Sequence, residues 1–240
     1  MIRTSSTLDI EERVLNSMLE GFPLKDAKGE LQFVQDTMVR GLSTVLRMKD
    51  LATGVHSSRL AEWAVRVAAR LGLDLQYQRD VETAALLHDI GKIGIPDAIL
   101  HKPSALTREE RLIINKHAEY GWNALRGISG FERVSLFVLH HHERIDGKGY
   151  PARLKGAAIP LGSRIVSLID AFDAMISTRC YRKALPLDEA VRRLESGRGT
   201  QFDPKLVEHL VWMVSSELRQ PSRVTDAFAI RELTLTEATC

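Results

Sequence analysis

The sequence has little cysteine and no long hydrophobic run. It contains two cysteines, Cys180 and Cys240, too few for a disulfide framework or a cysteine-based zinc site. No apolar stretch approaches the roughly 18–20 residues that span a bilayer. Residues 1–19 carry three acidic side chains and lack the apolar centre of a signal peptide. We therefore expect a cytoplasmic protein whose metal sites would use histidine and carboxylates.

An excess of charge of one sign is also missing. The 33 basic and 31 acidic residues leave a net charge of +2. This balance gives no reason to expect binding to a nucleic-acid polymer or to a membrane surface. The 44% of hydrophobic and 27% of charged residues are typical of a globular domain. At 240 residues the chain can form one large core.

Helical periodicity dominates the chain, and strand patterns are scarce. Apolar residues from Leu31 to Leu46 share one helical face, and those from Leu60 to Leu71 share another, which ends at Gly72. The first face is expected to pack on the protein's own core, with a dimer interface as the alternative. Further helices are predicted over residues 78–87, 107–125, 134–142, 165–176 and 204–218. These patterns predict an all-α fold, with at most a small hairpin.

The chain divides into three predicted segments. Residues 1–49 form an N-terminal helical segment with a turn at residues 21–30, residues 50–218 form the main domain, and residues 219–240 form a polar tail. Two loops rich in glycine and proline, at residues 93–103 and 146–160, interrupt the main domain. Such loops let the backbone turn sharply or approach a ligand closely.

The strongest local signal is the adjacent pair His88-Asp89, which follows the apolar run 84–87. Buried histidine and aspartate are costly unless they are paired or bind a metal. Taken alone, the pair is explained by a helix end at which Asp89 pairs with Lys92. A second signal is the run 140–142 of three histidines, which also follows an apolar stretch. Neighbouring residues on a helix point about 100° apart, so one of the three should face elsewhere.

Single residues elsewhere complete the pattern. His56, His117 and Asp170 each lie in an apolar helical context, and each alone is better explained as a hydrogen-bonded core residue. Together with the two local signals they amount to five histidines and two aspartates spread over several helices. Imidazole and carboxylate donors suit iron, manganese or zinc. Two such ions about 3.5–4 Å apart suit hydrolysis of a phosphoester.

At this point the sequence resembles the HD-GYP cyclic di-GMP phosphodiesterases, a branch of the HD-domain phosphohydrolases. The stretches that carry the resemblance are HDIGKIGIPDAIL (88–100), HHERIDGKGYP (141–151), IPLGSRI (159–165), DAFDAMISTRCYRKA (170–184), DLATGVHSSRL (50–60) and GTQFDP (199–204). The resemblance runs from about Asp50 to Leu210, about two-thirds of the chain, and its stretches occur in the family's order. The resemblance implies an HD-domain helical bundle with a short N-terminal helical segment and a Gly/Pro-rich GYP loop.

The resemblance also implies roles for individual residues. The implied metal ligands are His56, His88, Asp89, His117, His141, His142 and Asp170. Asp89 would bridge two ions and, with Lys92, act in catalysis. His56, His88 and Asp170 would complete one metal site. The other three histidines would complete the second site, and His140 would be structural.

Substrate contacts follow from the same resemblance. The implied contacts are Lys92, Gly149, Tyr150, Arg179, Arg182, Asp50 and Asp173. Two positions depart from the family pattern. Ala52 stands where some members carry a glutamate that supports a third metal, so two ions and no third are expected. Cys180 replaces the proline of the family's RPYR motif, which leaves a thiol beside the expected phosphate-binding arginines.

The implied activity is metal-dependent hydrolysis of cyclic di-GMP to linear pGpG, with GMP as the product of a second cut. Iron or manganese is the expected metal. A different cyclic dinucleotide, such as cyclic GMP-AMP, is the first alternative. A non-catalytic module that binds cyclic di-GMP or docks a partner is the second. A diguanylate cyclase docked at the GYP loop and a homodimer are further expectations.

Overall fold

The structure is a computed structural model that describes residues 27–178 and 183–218, without the side chains of residues 27, 28, 51–56, 217 and 218. The regular secondary structure of these ranges is helical, with no named strand and only a bridge between Arg198 and Phe202. The all-α expectation is therefore confirmed. The α-helices are α1 Ala27–Lys49, α2 Leu51–Arg70, α3 Leu75–Leu87, α4 Asp97–Leu100, α5 Arg108–Asn115, α6 His117–Leu125, α7 Glu132–Leu139, α8 Leu161–Ile176, α9 Leu187–Ser196 and α10 Pro204–Leu218, with 3-10 helices at Ile90–Gly94 and Gly156–Ala158.

Helix α1 differs from its prediction in two respects. It begins at Ala27, so the last four residues of the predicted turn at residues 21–30 are helical, and the rest of that segment lies outside the described residues. Its apolar face is covered only in part, since Leu46 is buried whereas Leu31 and Val34 are 46% and 49% exposed. The expectation that this face packs on the core is therefore confirmed at Leu46 and wrong at Leu31 and Val34. Periodicity reveals an apolar face but not whether anything covers it.

The contacts divide the chain into two units between Gly41 and Leu42. The second unit carries the main helical bundle. The predicted domain boundaries at residues 49/50 and 218/219 remain predictions. No helix within the described ranges combines the length and the apolar character needed to cross a membrane.

The core of the second unit forms where α2 packs against α3 and α8. The predicted face of α2 is confirmed, because Leu60, Ala64 and Val67 are all buried. The helix ends at Arg70 and is followed, as expected, by Gly72, whose positive φ of 72° favours glycine. Across the core, the ring of Trp63 meets that of Phe172 edge-on, with centroids 5.6 Å apart.

Helix α7 lies against α3, α6 and α8 and brings the histidine run into the bundle. The ring of Phe137 fills the space that a Cβ at Gly162 would need, so α7 and α8 approach closely there. The helix ends at Leu139, three residues before the predicted end. The histidines therefore lie in the turn that follows the helix, where they are not bound to helical spacing.

Most other helix boundaries are close to their predictions. Helix α3 starts three residues early, because Asp74 accepts a hydrogen bond from the amide of Tyr77 at 2.8 Å and caps the helix. The capping box of Thr107 and Glu110 is present. Helix α10 begins at Pro204, as expected.

A candidate metal centre

Four segments of the bundle converge on one cluster of polar side chains. They are the turn after α3, the start of α6, the turn after α7 and the middle of α8. The side chains brought together are His88, Asp89, His117, His141, His142 and Asp170. These residues were singled out partly because they lie in, interrupt or follow apolar stretches, and the structure brings those stretches together in the bundle.

The His88-Asp89 pair lies where α3 gives way to a 3-10 turn. His88 is the last residue with helical backbone, and its Nδ1 lies 2.8 Å from the carbonyl oxygen of Ala85. Gly91 follows on a backbone that touches α6, where a Cβ would collide with the carbonyl of His117. Glycine at this position therefore lets the His88-Asp89 turn lie directly against the start of α6.

The start of α6 departs from the prediction of one continuous helix over residues 107–125. The helix breaks at Lys116, whose amide bonds to the carbonyl of Ile113 in the tighter i→i+3 pattern. The Nδ1 of His117 lies 2.8 Å from the carbonyl oxygen of Ile114. The break thus accompanies a histidine that engages the backbone of the preceding turn. Sequence periodicity carries no information about such a side-chain bond.

The turn after α7 separates the three consecutive histidines. The rings of His141 and His142 lie 3.9 Å apart, and Nδ1 of His141 lies 2.6 Å from the carbonyl oxygen of Val138. His140 faces the other way, with its Nδ1 3.7 Å from Oε1 of Glu143. One of the three histidines therefore points elsewhere, as the sequence predicts.

The backbone contacts fix the proton on three of these rings. A carbonyl oxygen can only accept a hydrogen bond, so Nδ1 of His88, His117 and His141 each carries a proton. In the neutral ring, Nε2 then carries a lone pair. The Nε2 atoms of His117 and His141 lie 3.4 Å apart. With His142, these two histidines offer three donor atoms within 4.8 Å of one another.

Asp89 lies between the histidines. Its Oδ1 is 3.5 Å from Nε2 of His117, and its Oδ2 is 3.3 Å from Nε2 of His88. Asp170 approaches from α8, with Oδ1 4.0 Å from Nε2 of His88. One carboxylate thus faces nitrogen donors on both sides, one with each oxygen, as a carboxylate that bridges two ions would.

Charge within the cluster is unevenly distributed. Burial alone would raise the pKa of Asp89, but the charges of Lys92 and His88 outweigh it and hold that pKa well below its usual range. Burial would likewise lower the pKa of His88, yet Asp89 and Asp170 raise it to about 9. Asp89 is therefore a carboxylate at neutral pH.

The pKa values of His117, His141 and His142 are lowered, in contrast to that of His88. Burial lowers the pKa of His117. Burial and the neighbouring imidazoles lower the pKa of His141 strongly and that of His142 to about 3. All three rings are therefore neutral at neutral pH, the form that binds a metal.

This donor set fits divalent metal ions. The described residues supply imidazole nitrogens and carboxylate oxygens from separate elements, a combination suited to iron, manganese or zinc. Two neutral imidazole lone pairs that face each other at 3.4 Å repel unless a cation or proton lies between them. Their low pKa disfavours the proton, so the cluster is arranged for a cation.

Lys92 lies beside the carboxylates. Its Nζ is 2.8 Å from Oδ2 of Asp89 and 3.3 Å from Oδ2 of Asp50. Burial would lower the pKa of Lys92, but these two carboxylates raise it above its usual value. The side chain is thus a fixed positive charge next to the cluster, as expected for a contact to phosphate.

The glycine-rich loop brings Tyr150 to the same place. The ring of Tyr150 lies 4.8 Å from that of His142, and its amide donates to the carbonyl of His142 at 3.3 Å. Gly149 packs on the backbone of residues 142–144, where a Cβ would lie 2.5 Å from the amide nitrogen of Arg144. Burial raises the pKa of Tyr150, so its hydroxyl stays protonated. An open cavity of about 780 Å3 adjoins the loop.

Asp173 occupies a different environment from that expected of a substrate contact. It is buried, and its Oδ1 accepts from Nε of Arg59 at 2.5 Å. Arg59 also donates to Ser177. The pairing joins α2 to α8 across residues that are far apart in sequence, so local patterns could not indicate it.

Some predicted residues cannot be located. Arg179, Arg182 and Cys180 lie outside the described residues. His56 and Ala52 lie on α2, but their side chains are among those not described. Their roles remain predictions.

Sequence reasoning missed Glu143. This carboxylate is buried and accepts from the amides of Ala152 and Leu154, at 2.7 and 3.0 Å. The signal available was its position: an acidic residue directly after two candidate ligands and at the end of a buried stretch. Such a residue needs hydrogen-bond donors close by.

A sequence model of the family described as "HD domain" matches residues 40–206. The chain belongs to the HD-domain family. Three curated relatives extend the likeness. The "Cyclic di-GMP phosphodiesterase response regulator RpfG" of Xanthomonas campestris pv. campestris is 39% identical over 85% of this chain and 52% of its own. The "Cyclic di-GMP phosphodiesterase" of Thermotoga maritima is 41% identical over 70% and 46%. The "3'3'-cGAMP-specific phosphodiesterase 2" of Vibrio cholerae is 36% identical over 76% and 35%.

The chain thus spans about half or less of the length of these relatives. Two solved structures share the fold. A cyclic GMP-AMP-specific phosphodiesterase of V. cholerae gives a TM-score of 0.60 at 23% identity, covering 80% of this chain and 50% of its own. A protein of Bdellovibrio bacteriovorus described as an HDG"Y"P protein gives 0.55 at 21% identity, covering 78% and 60%. The expected HD-type helical bundle and the family resemblance are confirmed.

Proposed function

We propose that the chain is a metal-dependent phosphodiesterase that opens cyclic di-GMP to linear pGpG. The observation that carries the proposal is the convergence of imidazole donors from the starts and ends of three helices on one carboxylate, Asp89. The likeness to relatives named cyclic di-GMP phosphodiesterases supports the substrate. The proposed ligands remain the seven named from the sequence, with His56 included.

The chain's own residues prepare the site for this reaction. Backbone carbonyls hold Nδ1 of three histidines, so their Nε2 atoms keep a fixed direction. Two divalent ions bound there would polarise the phosphate and lower the pKa of water. The oxygen of a water molecule then bonds to phosphorus, the bond to the 3′ oxygen breaks, and the proton ends on that oxygen. Lys92 would stabilise the charge that develops on the phosphate.

Iron or manganese is the metal we propose, at two ions per chain. Ala52 supplies no ligand for a third ion, and on that basis the second cut, from pGpG to GMP, should be slow. Gly149, Tyr150, Arg179, Arg182 and Asp50 are proposed to contact the substrate. Docking of a diguanylate cyclase at the GYP loop, a homodimer and a cytoplasmic location stay predictions.

The test is product analysis over time. Protein purified without oxygen and loaded with manganese or iron is incubated with cyclic di-GMP, with the His88→Ala/Asp89→Ala double variant as control. Metal-dependent pGpG that is absent in the control supports the proposal. Rapid and complete formation of GMP would contradict the argument from Ala52. No turnover by protein with two bound metals would contradict the phosphodiesterase.

Cyclic GMP-AMP is the second candidate substrate, because several similar relatives carry that specificity in their names. Parallel assays with equal concentrations of the two cyclic dinucleotides decide between them. A higher kcat/KM for cyclic GMP-AMP would replace cyclic di-GMP in the proposal. Tight binding of either one without turnover would favour the non-catalytic alternative.

A further inference from the structure

Glu143 is a buried carboxyl group that accepts hydrogen bonds from two backbone amides. Its side chain is 0% exposed, and an isolated carboxylate at such a place is unfavourable. Each of its two oxygens has a hydrogen-bond donor, which offsets the cost of burial. Oε1 accepts from the amide of Ala152 and Oε2 from the amide of Leu154. Glu143 therefore ties two points of the glycine-rich loop to the turn after α7.

The residue between those two points has an unfavourable backbone. Arg153 has a φ of 55°, in the left-handed region that non-glycine residues seldom adopt. Its neighbours on both sides donate to Glu143. The carboxylate thus holds in place a turn that the local sequence does not favour by itself.

The same loop carries Tyr150, and the backbone at residues 149 and 150 is attached to the turn after α7 as well. Gly149 packs against the Cα of Glu143, and the amide of Tyr150 donates to the carbonyl of His142. Tyr150 therefore lies between two attachments to residues 142–144. Its ring packs on His142 and also lines the cavity of about 780 Å3 beside the loop.

We infer that Glu143 is a positioning residue, which sets the loop and the ring of Tyr150 against the histidine cluster for substrate binding. The inference rests on the proposed function for its kinetic part. Its structural part, that Glu143 holds the loop, stands by itself. Both oxygens of Glu143 bond to the loop and not to the cluster, so we expect metal binding not to depend on this residue.

The decisive variant is Glu143→Gln, which keeps the shape but replaces one acceptor oxygen with an NH2 group. One loop amide then faces a donor. We expect kcat/KM to fall by about 10- to 100-fold, mainly through a higher KM. Metal content should stay at the wild-type value. Hydrogen–deuterium exchange of residues 150–156 should become faster, while exchange at α3 and α6 stays unchanged.

A double-variant cycle separates positioning from general destabilisation. If Glu143 acts through Tyr150, Glu143→Gln should cost little further activity in a Tyr150→Ala background. Losses that multiply would overturn the inference. Asp74→Ala, which removes the N-cap of α3, is the matched control, because it lowers stability without touching the loop. It should leave loop exchange and KM unchanged.

The remaining outcomes are equally decisive. Glu143→Asp keeps the charge on a shorter side chain and should recover part of the loop protection if Glu143→Gln folds poorly. Wild-type exchange of residues 150–156 in Glu143→Gln would overturn the inference, and so would loss of metal. If the wild-type protein hydrolyses no cyclic dinucleotide, the proposed function fails, while exchange and metal content still test Glu143.

Discussion

The two halves of the candidate metal centre differ in their chemistry. The imidazole half consists of His117, His141 and His142, whose pKa values are all lowered, chiefly by burial. The carboxylate half consists of His88, Asp89, Asp170 and Lys92, where opposite charges offset burial. One half is thus neutral and the other is charged. Two ions bound there would therefore experience different electrostatic fields. Asp89 faces both halves and would couple the binding of one ion to that of the other.

Removal of Asp89 should have the largest effect, because it affects both halves at once. Asp89→Asn is expected to lower kcat/KM by about 1000-fold or more and to reduce the metal content of both sites. Kinetics and elemental analysis of the purified variant measure the two effects. Asp80→Asn is the matched control. Asp80 is another buried aspartate, paired with Arg133 at 2.7 Å, and its loss should leave metal content unchanged. Two metals retained by Asp89→Asn would contradict the coupling.

Loss of one imidazole should impair metal binding in one half of the site only. His141→Ala is expected to reduce bound metal from two ions to one and to lower activity by at least about 100-fold, the upper end of what loss of an outer partner costs. The exposed His101 provides the control, since His101→Ala should change neither quantity. Loss of both ions from His141→Ala would contradict the assignment of His141 to one half of the site.

A change at Lys92 should separate substrate contact from metal binding. Lys92→Gln removes the positive charge beside Asp89, so we expect kcat/KM to fall about 100-fold with metal content unchanged. Lys102→Gln is the control, because Lys102 pairs with Glu110 at 2.7 Å, apart from the cluster. Equal effects of the two lysine variants on kcat/KM would refute the role given to Lys92.

The smallest effect on activity is expected at Asp173, which lies outside both halves. Asp173→Asn weakens the hydrogen-bonded pair with the partly exposed Arg59, so the free energy of unfolding should fall by about 2 kcal/mol. Chemical denaturation measures this change, and KM should stay within about threefold of wild type. A large rise in KM at unchanged stability would instead make Asp173 the substrate contact that the family resemblance implies.

Sequence patterns were sufficient where local chemistry decides the structure. The capping box at Thr107 and the glycine that ends α2 follow from neighbouring residues alone. Sequence patterns were insufficient where an individual side-chain hydrogen bond or a distant group decides the structure. The break at Lys116 accompanies a hydrogen bond between the His117 side chain and the carbonyl of Ile114. The burial of Asp173 depends on Arg59, 114 residues away.

The candidate site was likewise predictable from the sequence only in part. Residue types in the motifs indicated the histidines and Asp89, because buried histidine and aspartate need partners. Motifs did not indicate Glu143, whose two amide partners lie nine and eleven residues further along the chain. They also did not distinguish the neutral half from the charged half, because that difference arises from burial and from the side chains that surround each ring.

The most direct test of the central claim is anomalous diffraction from manganese-loaded crystals. We predict two peaks about 3.5–4 Å apart, one beside His117, His141 and His142 and the other beside His88 and Asp170, with Asp89 between them. A single peak, or none beside the three neutral imidazoles, would contradict the two-metal account.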